Sequence, residues 1–88
     1  MKIKDGYMLD EIGGQKIAVS LEQGPDKFNG MIKLNGTGAF LWEALQQEIE
    51  EDALAHALAE HYGIEVSTAK KDMKGFLELL EKNGILER

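Results

Sequence analysis

The sequence predicts an α+β fold in which a three-stranded antiparallel sheet is followed by three helices. Two observations predict it. Residues 1–35 contain short apolar segments separated by turn-forming residues, which is typical of strands, whereas residues 36–88 contain apolar residues at helical spacing. Because the chain has 88 residues, we expect residues 1–88 to form a single domain.

The strands are predicted from turn signals and alternating apolar residues. Two of them, at about residues 7–12 and 16–21, flank the Gly13-Gly14 pair, which allows the positive φ angles of a tight hairpin turn. The third, at about residues 28–34, follows a segment rich in turn formers. We also expect residues 85–86 to form a short extended end that packs on the core.

Apolar periodicity predicts three helices, at about residues 36–47, 51–62 and 67–82. Asn35 is a suitable N-cap for the first helix, and Gly63 is a suitable end for the second. Ser67 or Thr68 can cap the third. The link of three or four residues between the second and third helices is typical of a helix-turn-helix pair. Together with the sheet, this pair predicts a winged helix-turn-helix-like architecture.

The composition excludes several classes of protein. The chain has no cysteine, which excludes disulfides and cysteine metal sites. Its longest apolar run, residues 39–42, has four residues, far fewer than the roughly 20 that span a bilayer. The N-terminus is charged and lacks the apolar stretch of a signal peptide, so we expect a cytoplasmic protein with no membrane partner.

The charge distribution argues against nucleic-acid binding. Residues 1–35 hold five Lys and five Asp or Glu, whereas residues 36–88 hold five Lys or Arg and eleven Asp or Glu. The predicted third helix, which would be the recognition helix of a DNA-binding protein, has four Lys against three acidic residues. We therefore expect no nucleic-acid partner, and a winged-helix DNA-binding regulator is the alternative.

The segment LNGTGAFLW, residues 34–42, resembles the PqqD family, whose members are also called RiPP recognition elements. Gly36 departs from the family pattern, in which an acidic residue is more frequent at this position. The resemblance runs from Gly6 to Leu86. Its supporting segments are FNGMI at residues 28–32, Tyr62-Gly63, Asp72 with Phe76-Leu77, and Gly84-Ile85-Leu86.

This resemblance implies a function in peptide binding. Members of the family resemble winged helices that bind the leader segment of a ribosomally made precursor peptide. The leader adds as a β-strand to the edge of the third strand and lies in the groove against the third helix. The domain then presents the precursor to a modifying enzyme, often a radical SAM enzyme. The resemblance thus implies a non-catalytic peptide chaperone without a cofactor.

The residues that this mechanism would use lie on the third strand and the third helix. Strand addition needs an open edge without proline, and residues 28–34 contain none. Met31 and Ile32 point to opposite faces of the strand, so each either contacts the peptide or packs on the helices. Lys70 and Lys74 flank the apolar face of the third helix, where they either meet acidic leader residues or stay solvated. The predicted peptide-binding set is Phe28, Met31, Ile32, Lys33, Leu34, Lys70, Met73, Lys74 and Leu77.

The sequence also allows alternatives to leader-peptide binding. A docking scaffold for a partner enzyme, without peptide binding, stays open, and so do a monomer and a weak homodimer formed through the open edge. His56 and Glu60 lie four residues apart on the second helix, but two exposed ligands make a poor metal site, and we expect neither metal nor catalysis. Leu79 lies away from the core face of the third helix and is either a partner contact or a scattered surface leucine.

Overall fold

The computed structural model describes residues 1–21 and 31–88. Strands β2, β3 and β4 form a three-stranded antiparallel sheet in that order, and three helices follow. The predicted α+β fold class is confirmed. In chain order the elements are β1 (Lys2–Ile3), β2 (Tyr7–Ile12), β3 (Gln15–Ser20), β4 (Met31–Leu34), α1 (Gly36–Ala44), α2 (Glu51–Tyr62), α3 (Val66–Lys82) and β5 (Leu86–Glu87).

The β2–β3 hairpin turns at Gly13 and Gly14, whose φ angles are 59° and 80°. These angles belong to a two-residue hairpin turn, and glycine adopts them without steric cost. The turn joins Ile12 directly to its pairing partner Gln15, so β3 begins one residue before its predicted start. Strand β4 begins at Met31 within the described residues, and the predicted strand positions before it lie outside them.

Helix α1 begins where the sequence predicts. The Asn35 side chain accepts a hydrogen bond from the Gly38 N–H at 2.8 Å, as an N-cap does. The helix ends at Ala44, three residues before its predicted end at residue 47. It ends early because Leu45 is completely buried and its carbonyl accepts a hydrogen bond from the Ile3 N–H at 2.9 Å. Contact with β1 therefore limits the helix.

Helices α2 and α3 form the predicted helix-turn-helix pair. Helix α2 ends at Gly63, whose φ of 64° is in the left-handed region that favours glycine. Helix α3 begins at Val66 with Glu65 as its N-cap. The predicted caps, Ser67 and Thr68, are therefore wrong. Val66 packs against the core and is the first residue of the helix. Because Ser67 and Thr68 follow it, both lie inside the helix.

The two ends of the described chain form a separate antiparallel ladder between β1 and β5. Lys2 lies opposite Glu87, and Ile3 lies opposite Leu86. Strand β5 corresponds to the extended end predicted at residues 85–86, whereas β1 is an unpredicted strand. The ladder adds Ile3 and Leu86 to the core.

The three-stranded sheet has two different faces. On its inner face, Ala18 and Leu34 belong to the buried core, and Tyr7, Leu9 and Ile32 pack against it. Side chains alternate between the two faces of a strand. The outer face of the sheet therefore carries Met8, Asp10, Ile12, Gln15, Ile17, Val19, Met31 and Lys33.

None of these eight residues belongs to the core cluster or packs against it, although Ile17 is only 5% exposed. The helices consequently cover one side of the sheet. Within residues 1–21 and 31–88, no helix combines the length and the apolar character that a membrane span requires.

Candidate functional site

The candidate site is the free edge of β4. Within the described residues, β4 pairs with β3 and with no other strand. Its sequence is MIKL, in which every residue has a backbone N–H. An edge of this kind presents unpaired donors and acceptors to which an extended chain can bind.

The register of the sheet determines which β4 residues point their backbone groups outward. In antiparallel strands, hydrogen-bonded pairs alternate with non-hydrogen-bonded pairs, and a hydrogen-bonded pair closes a two-residue turn. That pair is Ile12 and Gln15. At the other end of the hairpin, the Leu21 N–H donates to the Gly6 carbonyl at 2.7 Å. Both observations assign the same β3 residues to hydrogen bonds with β2, namely Gln15, Ile17 and Val19.

The two remaining β3 residues in the register direct their backbone groups towards β4. Their partners on β4 are Ile32 and Leu34. Met31 and Lys33 therefore point their N–H and C=O groups away from the sheet. An added strand would form its hydrogen bonds with these two residues.

A groove lies beside this edge, between β4 and α3. Its volume is about 540 Å³, which is in the range of pockets that hold small ligands or a few side chains. Apolar side chains and glycines form much of its lining, with Lys33, Lys71 and Asp72 as the charged residues. We call it the β4–α3 groove, and it is lined by Lys33, Leu34, Asn35, Thr37, Gly38, Leu41, Lys71, Asp72, Gly75, Phe76 and Leu79.

Two glycines give the groove its depth. A Cβ built on Gly75, in the middle of α3, would have no atom within 4 Å. A Cβ on Gly38 would lie 3.3 Å from the Phe76 ring and 3.4 Å from Leu34 Cβ, so glycine allows α1 to approach both. Leu79 is 38% exposed at the edge of the groove. An apolar side chain of a guest strand could therefore lie over Gly75 and contact Phe76 and Leu79.

The structure places the predicted β4 residues at this edge. Met31 is 66% exposed, Lys33 is exposed and Ile32 is half-buried on the inner face. Leu34 is 4% exposed and forms part of the groove floor. Phe28 lies outside the described residues. Contact of each of these residues with a peptide stays a prediction.

The four predicted α3 residues lie on another side of the helix. Lys70, Met73, Lys74 and Leu77 line a cleft of about 460 Å³ between α2 and α3, and none of them lines the β4–α3 groove. Met73 and Leu77 are buried in the core. We call this second site the α2–α3 cleft, and its lining is completed by Glu51, Asp52, Glu78, Glu81 and Arg88. A peptide in the β4–α3 groove would therefore meet other α3 residues.

Ion pairs cross the α2–α3 cleft. Lys70 Nζ lies 3.6 Å from Asp52 Oδ1. Arg88 forms ion pairs with Glu51 and with Glu81, and these hydrogen bonds raise the pKa of its guanidinium above the usual value. Five of the seven charged residues that line this cleft thus form ion pairs within the described chain.

Sequence reasoning missed the α3 residues of the β4–α3 groove as a set, namely Lys71, Asp72, Gly75, Phe76 and Leu79. Two signals were available. Gly75 is in the interior of a helix, where glycine costs about 1 kcal/mol relative to alanine, so a close approach is an expected reason for it. Leu79 was recognised as lying away from the core face, and its exposure agrees with that.

The histidines of α2 lie apart from the groove. His56 Nδ1 is 2.8 Å from the Asp52 carbonyl one turn earlier. The His61 ring stacks on Phe40 with centroids 4.4 Å apart. Within residues 1–21 and 31–88, no three His, Asp or Glu side chains are close enough to hold a metal ion.

The comparison with protein families gives a match to the model of coenzyme PQQ synthesis protein D (PqqD) over residues 15–86. The chain belongs to the PqqD family. The matched segment begins at β3 and ends at β5, so it contains both walls of the β4–α3 groove.

Among solved structures, the chain is similar to TbiB1 in complex with the TbiA(beta) leader peptide. The TM-score is 0.76 at 23% sequence identity, with 99% of this chain and 95% of that chain covered. At this identity the similarity shows a shared fold. No curated protein matches the chain.

Proposed function

We propose that this chain is a non-catalytic peptide-binding protein that recognises the leader segment of a ribosomally made precursor peptide by β-strand addition. The observation that carries the proposal is the free β4 edge, with Met31 and Lys33 directing backbone groups outward beside a groove that Leu34, Phe76 and Leu79 help to line. Membership of the PqqD family and the fold shared with TbiB1, a protein bound to a leader peptide, support it.

The guest in this proposal is an extended peptide with apolar side chains at alternate positions. Alternate side chains of an added strand point to the inner side, where the groove is lined by Leu34, Phe76 and Leu79. The intervening side chains point to the outer side, next to Met31. Lys71 on the α3 wall of the groove favours an acidic residue in the guest, and Asp72 restricts its position.

We further propose that residues 1–88 act as one domain in the cytoplasm and present the bound precursor to a peptide-modifying enzyme, such as a radical SAM enzyme. The short strand edge and the modest groove suit reversible binding in the micromolar range, which allows release after modification.

Amide hydrogen exchange in the free and peptide-bound states tests the mechanism. The probe is the leader segment of a ribosomally made precursor peptide, chosen from the short open reading frames near this chain's gene. We expect the Met31 and Lys33 amides to exchange quickly in the free protein and slowly in the complex, because the guest strand accepts their hydrogens. The Ile32 and Leu34 amides, which bond to β3, serve as internal controls.

Binding without new protection at Met31 and Lys33 would contradict strand addition at β4. No binding of the leader, combined with binding to duplex DNA that weakens steeply as salt rises, would favour the winged-helix regulator instead.

A further inference from the structure

Two side chains of β4, those of Met31 and Lys33, lie on the outer face of the sheet at the edge where a guest strand would add. Met31 is 66% exposed, and Lys33 is exposed as well. These are the same two residues whose backbone groups point away from β3. A guest strand that bonds to their backbone therefore also meets their side chains.

The pairing rules of an antiparallel ladder determine which guest side chains these are. The side chains of two directly opposed residues lie on the same face of the sheet, with their Cβ atoms about 5 Å apart. One guest residue therefore places its side chain beside that of Lys33, and another places its side chain beside that of Met31. The guest residue between these two points to the opposite face, into the β4–α3 groove.

The ammonium group of Lys33 has no counter-charge from its own sheet. Within residues 1–21 and 31–88, Lys33 forms no ion pair. Its partner on β3 is the apolar residue Ile17, and the carboxylate in the same row belongs to Asp10 on β2. Asp10 is two strands away, at a backbone separation of about 10 Å. Because opposite charges on paired strands attract, a guest carboxylate opposite Lys33 supplies the counter-charge.

Met31 favours a different kind of guest residue. Its partner on β3 is Val19, so its surroundings on the sheet are apolar. An apolar guest side chain opposite Met31 removes apolar surface of both residues from water. Methionine adapts to neighbours of different shape, so this position selects apolar character and not one residue type.

We propose that Lys33 and Met31 select the outward-facing residues of the leader peptide, with an acidic residue opposite Lys33 and an apolar residue opposite Met31. This selection rests on the strand addition proposed above. Strands β2, β3 and β4 are antiparallel to one another, and a guest that continues this pattern runs opposite to β4. The acidic residue of the guest then stands two positions before the apolar one, with a groove-facing residue between them.

Selection from a phage-displayed library of random peptides tests the proposal. The wild-type protein should enrich peptides with an acidic residue two positions before an apolar residue. Lys33→Glu should enrich Lys or Arg at that position and keep the other preferences, because only the outward charge is reversed. Lys82→Glu is the matched control and should keep the acidic preference. It makes the same change in net charge at an exposed residue that lines neither the β4–α3 groove nor the α2–α3 cleft.

A charge-swap cycle then tests the direct contact. One enriched peptide and its acid-to-lysine variant are titrated against the wild type and Lys33→Glu by isothermal titration calorimetry. Each like-charged combination should bind about five- to tenfold more weakly than the wild-type pair, because an attraction is replaced by a repulsion. The doubly swapped combination should recover the wild-type affinity to within about twofold. Lys33→Gln should bind both peptides with similar affinity.

Amide hydrogen exchange on the same complexes separates this selection from strand addition itself. Slow exchange of the Met31 and Lys33 amides, combined with an affinity for both peptides that Lys33→Glu does not change, would overturn the selection and leave strand addition in place. Enriched peptides that do not slow these amides, or no enrichment at all, would contradict strand addition and the selection with it. An acidic residue two positions after the apolar one would overturn the proposed order, since the guest would then run parallel to β4.

Discussion

Within residues 1–21 and 31–88, the sheet has two free edges, β2 and β4. Both lie next to a cleft, yet they differ in how open their backbone is. On β2, the outward-facing N–H of Glu11 donates to the Asp10 carboxylate at 2.8 Å. Acidic side chains occupy that edge, and Glu11 also forms an ion pair with Lys16 at 3.1 Å. Charged side chains on an edge strand are a usual means of preventing the addition of another chain.

The clefts beside the two edges also differ, and the one beside β4 is again the more suitable for a guest strand. The β2–α1 cleft has a volume of about 320 Å³, against about 540 Å³ for the β4–α3 groove. Three acidic residues, Asp10, Glu11 and Glu43, surround it, with Lys16 as the single base in its lining. A free strand edge alone is therefore not enough to favour the addition of a guest strand. The backbone donors must also lack side-chain acceptors and lie beside a groove that can take side chains of the guest.

Proline substitution at the two edges should give the largest difference. Lys33→Pro removes an outward N–H from β4, and we expect the affinity for leader peptide to fall at least about a hundredfold. Glu11→Pro removes the equivalent N–H from β2 and should leave the affinity unchanged. Isothermal titration calorimetry measures both. Lys33→Ala serves as the side-chain control, and an equal loss in both proline variants would place the guest elsewhere.

Filling the groove should separate binding from stability. Gly75→Leu adds a side chain where a Cβ meets no atom within 4 Å, so the fold should accept it while the guest loses its space. We expect a loss of affinity of at least about tenfold together with an increase in thermal stability, since leucine favours a helix by up to about 1 kcal/mol over glycine. Gly75→Ala is the matched control. It should also raise the thermal stability, but it should weaken peptide binding less than Gly75→Leu does. Full binding by Gly75→Leu would show that the guest does not lie over Gly75.

Charge reversal on α3 should have a smaller effect that depends on the side of the helix. Lys71 lines the β4–α3 groove, and Lys70 lies next to Asp52 in the α2–α3 cleft. Lys71→Glu should weaken the binding of an acidic leader three- to fivefold or so, and Lys70→Glu should not. Fluorescence anisotropy at low and high salt measures both variants. A larger effect at Lys70 would assign the peptide to the α2–α3 cleft.

The smallest expected effect is on amide exchange at the β2 edge, where the Asp10 side chain accepts a backbone hydrogen bond. Asp10→Ala removes the acceptor of the Glu11 N–H, and we expect the exchange rate of that amide to rise a few-fold. The amides of Met31 and Lys33 should not change. Hydrogen exchange measured by NMR on dilute protein gives all three rates, and an unchanged Glu11 rate would mean that Asp10 does not protect this edge.

Much of the fold follows from short-range signals in the sequence. The Gly13-Gly14 turn fixes the hairpin, Asn35 fixes the start of α1 and Gly63 fixes the end of α2, because each position has a backbone requirement that its residue meets. The end of α1 and the start of α3 depend on distant contacts. Leu45 stops α1 through β1, which local sequence does not encode.

The sequence predicts only the β4 part of the candidate site, because the position of α3 relative to β4 also depends on distant contacts. The sequence is enough to choose β4 as the candidate strand, because residues 28–34 contain no proline and follow a turn-rich segment that can leave one edge open. To choose the α3 residues that line the groove, one must know on which side of α3 the strand β4 lies. A helical wheel of α3 does not give that information. The helical pattern therefore favours Lys70 and Lys74, which lie on the α2 side of the helix, while Lys71, Gly75 and Leu79 lie on the β4 side. Likewise, the outward direction of Met31 and Lys33 follows from the hairpin register and not from their identity.

The β1–β5 ladder has a consequence for how such a unit can be joined to other proteins. Because Lys2 pairs with Glu87, the polypeptide enters and leaves the domain a few ångströms apart. A host protein could accommodate the whole unit within a surface loop without stretching that loop. The same adjacency should allow the two ends to be linked and new ones to be opened at the Gly13-Gly14 turn, with the groove preserved.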